Sequence, residues 1–118
     1  MAVKYKDIAG NDYSVQDQND VHVETKVGDG QPVYSISVFL DKENKGMSEN
    51  VKLGKPSEVR NKLITIVVVV QDRLAETNWT SFTSWLVQGN SKIIYGPYSE
   101  EANQDQDTVI YTLKIKLK

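Results

Sequence analysis

Few side chains in this chain are of a type that could do chemistry, and their spacing settles most of the cases. His22 is the only histidine. It stands in an alternating run opposite Val21 and Val23, which puts it on the solvent side of a strand. A Ser-His-Asp arrangement needs a hydroxyl, a base and an orienting carboxylate that converge. No local pattern brings Ser and Asp to His22, so we read it as a surface residue and the chain as non-enzymatic.

Carboxylates are plentiful, as in Glu100-Glu101 and in Asp105 with Asp107. Glycoside hydrolysis needs two carboxyls flanking a sugar bond, one of them kept protonated by a dry setting. These lie in polar stretches that would leave them ionised, so a solvated acidic loop is the expectation. Asp41-Lys42-Glu43-Asn44-Lys45-Gly46 echoes a calcium loop at its first, third and sixth positions. It fails at Lys45, and Lys52 stands where a bidentate Glu belongs. Asp17, Asn19 and Asp20, with Asp105 and Asp107, are a weaker calcium candidate that requires convergence across the fold. No metal and no cofactor is expected.

Gly28-Asp29-Gly30 lacks the Gly-Lys-Ser/Thr and the following helix of a phosphate cradle, and reads as a turn. Asn78-Trp79-Thr80 matches a glycosylation acceptor, taken here as chance. Lys114, Lys116 and Lys118 share one strand face, which reads as a solvated face or as the charged guard of an edge strand.

The aromatic residues carry the most interest. Trp79, Trp85, Tyr95 and Tyr98 cluster in the C-terminal half beside an amide- and acid-rich stretch. A sugar ring needs an apolar surface to stack on and polar groups for its hydroxyls. Trp79, Tyr95, Tyr98, Asn103 and Asp105 are therefore the candidate ligand-binding residues, while Trp85 is expected in the core because large aromatics dominate cores.

Composition bounds what can position these groups. The 118 residues make one domain, residues 1–118, large enough for a single core. With no cysteine, disulfides and thiolate chemistry are excluded. A net charge of −2 with mixed signs argues against a nucleic-acid partner and a polybasic membrane anchor. The longest apolar run, Ile66 to Val70, is far too short to span a bilayer. The first residues lack the pattern of a secretory signal, so a cytoplasmic location is expected if Met1 is the native start. Val and Ile supply 23 residues against 11 of Leu and Ala, and β-branched side chains favour the pleated sheet.

The elements follow from periodicity. Val3, Tyr5 and Ile8 suggest a short strand, and Gln16 to Asp20 a polar loop. Val21 to Val27 and Tyr34 to Leu40 alternate cleanly around Gly28-Asp29-Gly30-Gln31-Pro32, which reads as a β-hairpin. Asp41 to Gly46 reads as a charged loop, followed by a short strand at Val51 and Leu53. Between 57 and 75 a helical spacing competes with a strand. Seven consecutive β-branched residues, Ile64 to Val70, decide for a central strand covered on both faces. Residues 77–88 read as a strand with a bulge or bend, paired through Gly89-Asn90 with a short strand from Ser91 to Tyr95. Gly96 to Asp107 is expected to be a mobile loop at the rim of any binding surface, and Val109 to Lys118 a final strand.

This pattern predicts an all-β fold, an antiparallel β-sandwich of about seven or eight strands, with a closed β-barrel as the alternative. The expected role is a non-catalytic interaction or structural module, with a carbohydrate- or small-ligand-binding sandwich as the second reading. Partners are then a protein or a carbohydrate, without nucleic acid or membrane insertion, and a homo-oligomer is compatible.

Overall fold

The computed structural model describes residues 2–118. Nine strands form two sheets that do not close into a barrel: β1 (Val3–Ala9), β2 (Val21–Val27), β3 (Val33–Leu40), β4 (Glu43–Gly46), β5 (Asn50–Gly54), β6 (Leu63–Gln71), β7 (Trp79–Gln88), β8 (Ser91–Glu101) and β9 (Thr108–Lys116). A single helical turn, α1 (Pro56–Val59), lies between β5 and β6. One sheet runs β1-β9-β6-β3-β4 and the other β5-β2-β7-β8. The sandwich forms as alternation dictates, because each strand turns one set of side chains inward. Val21, Val23, Phe82 and Leu86 meet Ile36, Val38, Ile66, Val68, Tyr111 and Leu113 in a continuous buried core.

The β-branched run of β6 is a strand, bonded to β3 on one side and β9 on the other. It is covered on one face only. Ile64, Ile66, Val68 and Val70 are fully buried, whereas Thr65, Val67 and Val69 are half-buried on the outer face. Neighbouring strands shield those outer side chains from the sides, and among the described residues no further layer lies over them.

Three further expectations are corrected. β2 and β3 do not make a hairpin: β2 pairs with β5 and β7, and β3 with β4 and β6. Their buried faces oppose each other across the core, so residues 28–32 cross between the sheets. Buried Gln31 fixes the crossing. Its Nε2 donates to Asp72 Oδ1 and the Trp79 carbonyl at 3.1 and 3.0 Å, and its Oε1 accepts from the Arg73 amide at 2.9 Å. The sandwich is also not wholly antiparallel. β1 runs parallel to β9, with Tyr5 beside Ile110 and Ile8 beside Leu113. Residues 10–15 continue along the same edge, through Gly10, Tyr13 and Val15 amides bonded to the Lys114, Lys116 and Lys118 carbonyls. β9 is therefore interior, and its lysines are a solvated face, not the guard of an edge.

The third correction concerns Gly96 to Asp107. β8 continues to Glu101, pairing with β7 through a register shift opposite Phe82 and Ser84. The extra residue is on β8, where Gly96 and Pro97 stand against Thr83, and β7 keeps a continuous register with β2, so the irregularity expected within 77–88 belongs to its partner strand. Gly96 permits it: its φ is 105°, and a Cβ there would lie 2.9 Å from the Tyr98 nitrogen. The true connection, residues 102–107, is pinned. Ala102 is buried and donates to the Asn78 carbonyl, while the Gln106 amide and Asp107 carbonyl bond Asp72. Asp107 accepts from the Ala2 and Gln104 amides. Asp107, one of the acidic residues that suggested a solvated loop, is thus a fastening of it. The charged loop at 41–46 is likewise a tight hairpin into β4, with Asp41 at φ 51° accepting from the Leu63 amide.

Candidate interaction surface

The residues singled out for ligand binding do not assemble into one platform. Tyr95 is 5 % exposed, and its hydroxyl donates to the Asn11 carbonyl at 3.0 Å. Burial pushes its phenol pKa up, with smaller contributions from Tyr98, Tyr13 and Asp12. Tyr98 is half-buried against Phe82, ring centroids 5.4 Å apart. Trp79, by contrast, is 46 % exposed at the start of β7. Asn103 and Asp105 are exposed in the connection to β9. Asn78, with its amide oriented to suit its neighbours, donates to Asp72 and Asp105 at 3.0 and 3.1 Å. Tyr95 and Tyr98 thus serve the sandwich interior, while Trp79 stands apart from them.

The other candidates are mostly occupied by structural contacts. Glu100 takes Lys4 at 3.1 Å and Lys6 at 3.3 Å, and the Lys4 contact above all holds its carboxyl below the usual range, with burial opposing. Asp17 pairs with Arg60, and Asp20 with Lys52. Among the described residues no three His, Cys, Asp or Glu side chains gather as metal ligands. No helix among them is long and apolar enough to cross a membrane. His22 is half-buried on the outer face of β2, between Lys52 and Val87 in the register.

A groove of ≈ 360 Å³ lies between residues 11–16 and the start of β8, where Ile93 and Ile94 are exposed. Its wall is rigid because of Gln88, which is fully buried. The Gln88 Oε1 accepts from the Tyr13 hydroxyl and the Gln16 amide, and Nε2 donates to the Gln16, Gln18 and Asn19 carbonyls. One amide thereby supplies the hydrogen bonds that the strandless segment cannot supply itself.

The outer face of the five-stranded sheet is the larger feature. The register sets Tyr5, Ile110, Val69 and Ser35 in one row across β1, β9, β6 and β3. Asp7, Thr112, Val67 and Ser37 form the next, and Ala9, Lys114, Thr65 and Phe39 the one after. Tyr5 is 72 % exposed, and Val3, Val33 and Leu63 are exposed as well. Within these rows only Asp7 and Lys114 are charged, both toward the β1 side. A one-sided sheet ordinarily turns polar side chains to water; this one turns Val, Ile, Tyr, Ser and Thr.

The four-stranded sheet carries more charge on its outer face, with Trp79, Trp85 and Ile94 set among it, and sequence reasoning misplaced one of these. Trp85 is not in the core. It sits half-exposed on the outer face of β7, between Glu24 of β2 and Ile94 of β8. The phase of β7 is unbroken, with Thr80, Phe82, Ser84, Leu86 and Gln88 inward, but polar Ser84 and Gln88 face the core while Trp85 and Val87 face out, so polarity alone does not reveal it.

Scans against family models, curated proteins and solved structures each found no match.

Proposed function

We propose that the chain is a non-catalytic interaction module that docks a protein partner on the outer face of its five-stranded sheet. The observation that carries this reading is the outer row of β6, where Val67 and Val69 stand with Ile110, Tyr5 and Phe39 and have no further layer over them among the described residues. Contiguous apolar surface of this kind marks interaction sites. A face almost free of charge favours a partner that contributes a matching sheet or helix surface over one that is steered by charge.

The test is site-specific photo-crosslinking from Val69 and, separately, from Lys26 on the opposite sheet, in extract of the native source. A discrete adduct from Val69, absent from Lys26 and abolished by Val67→Lys, supports the reading. Equal labelling from both positions, or none from Val69, removes it.

A further inference from the structure

We propose that the groove around Trp85, on the outer face of the four-stranded sheet, binds a neutral sugar. This is independent of the docking face, which lies on the other sheet.

The groove has a volume of ≈ 410 Å³, within the range of about 300–1,000 Å³ typical of small-molecule sites. Its floor is the half-exposed Trp85 indole, standing in the cross-strand row Asn50, Glu24, Trp85, Ile94. The remaining polar walls are Lys26, Glu49 and Lys92. Three properties converge on one ligand class. An indole plane set into a sheet is a rigid surface for the C–H face of a pyranose ring. Around it stand acceptors at Glu24 and Glu49, donors at Lys26 and Lys92, and an amide at Asn50 that does both. Hydroxyls, which also donate and accept, match that mixture. The charges cancel, two lysines against two glutamates, so neither a phosphate nor a uronate is favoured over an uncharged ring.

Lys92 now lies over the indole, its Nζ 5.1 Å from the ring centroid and 3.6 Å from Glu24 Oε1. An exposed cation–π contact is weak, and the side chain is long. A ring stacking on Trp85 displaces the ammonium toward Glu24, where it remains within reach of a ligand hydroxyl. The groove beside Ile93 offers no equivalent, since Tyr13 and Tyr95 are buried and their hydroxyls are engaged.

The chain has two tryptophans, which gives a direct readout. In a Trp79→Phe background Trp85 is the sole indole, and its emission is followed during titration with neutral oligosaccharides of glucose, galactose, mannose and N-acetylglucosamine. We expect a saturable change for at least one, with Kd of about 1 mM or tighter. By calorimetry on the otherwise unaltered chain, Trp85→Ala should weaken binding at least about tenfold, and Glu24→Gln should weaken it several-fold, with unfolding midpoints near wild type. Glu24→Gln keeps the indole, so it tests the polar wall even if Trp85→Ala folds poorly. No response up to about 10 mM, preference for an anionic sugar or a nucleotide, or wild-type affinity in both variants overturns the proposal. Val69→Lys should leave sugar binding unchanged, which separates failure here from failure of the docking face.

Discussion

The two outer faces of the sandwich are built from the same strand geometry and differ in what they show to water. On the four-stranded sheet the outward positions of β2 and β5 are His22, Glu24, Lys26, Asn50 and Lys52, and Trp79, Trp85 and Ile94 stand beside them on β7 and β8. On the five-stranded sheet the outward positions of β6 are Thr65, Val67 and Val69, flanked by Ile110 and Phe39. A charged face is held open by hydration, and an aromatic ring walled by those charges makes a discrete small-ligand site. A face of Val, Ile, Tyr, Ser and Thr with little charge has less hydration to lose, so it suits coverage by another protein. Polarity, not shape, distinguishes the two.

That contrast rests on which side of β6 is inside, and the largest expected effect tests it there. Val68→Asp places an unpaired charge in the core and should cost about 3–5 kcal/mol, a large part of a small domain's total stability of about 5–15 kcal/mol. Val67→Asp, one residue away on the outer face, should change stability by less than about 1 kcal/mol. Chemical denaturation of the pair decides it; equal losses would mean that both faces of β6 are enclosed.

Next in size is Gln88→Leu, which removes the partner of the buried Tyr13 hydroxyl and of the part-buried main-chain groups of Gln16, Gln18 and Asn19. A loss of about 2–4 kcal/mol is expected, with amide exchange in residues 13–19 accelerating before the rest of the chain. Uniform acceleration would show that this segment is not an independent wall of its groove.

Val67→Lys should alter stability by less than about 1 kcal/mol while abolishing crosslinking from Val69 on the five-stranded face and sparing any signal from Trp85. Trp85→Ala should do the reverse. Loss of both signals in either variant, with the fold intact, would join the faces into one site and dissolve the comparison.

The smallest effect concerns the seam where the two sheets meet at the β1 and β8 edges. Lys4 and Lys6 hold the Glu100 carboxyl below its ordinary range. A lowered folded-state pKa contributes stability that is present above the ordinary carboxylate value and lost as pH falls through the folded one. Glu100 is near the surface, so this amounts to roughly 0.2–1 kcal/mol. Glu100→Gln should lose that much at neutral pH and nothing more on acidification below the carboxylate range. A pH profile of stability identical to wild type would remove Glu100 from the seam.

Much of this architecture is legible in the residues alone. Alternation in 21–27, 34–40 and 109–117 marks strands, and Ile64 to Val70 cannot favour a helix when every side chain is branched at Cβ. Gly89-Asn90 joins a true hairpin, β7 to β8. These are local facts, set by side-chain sterics and a period of two. What no local pattern contains is the choice of partner strand. Gly28 to Pro32 reads equally well as a hairpin turn or as a crossing between sheets, and buried Gln31, bonded to Asp72, Arg73 and Trp79, makes it the latter. The parallel return of β1 along β9 brings together residues about a hundred positions apart. The acidic stretch after Tyr98 is ordered because Lys4, Lys6, Asp72 and Asn78, all distant in sequence, hold it. The same holds for both proposed surfaces. The sequence specifies that β6 has two apolar faces and that a tryptophan follows Ser84. Only the packing of one sheet on the other decides which of those side chains the core receives and which are left to water.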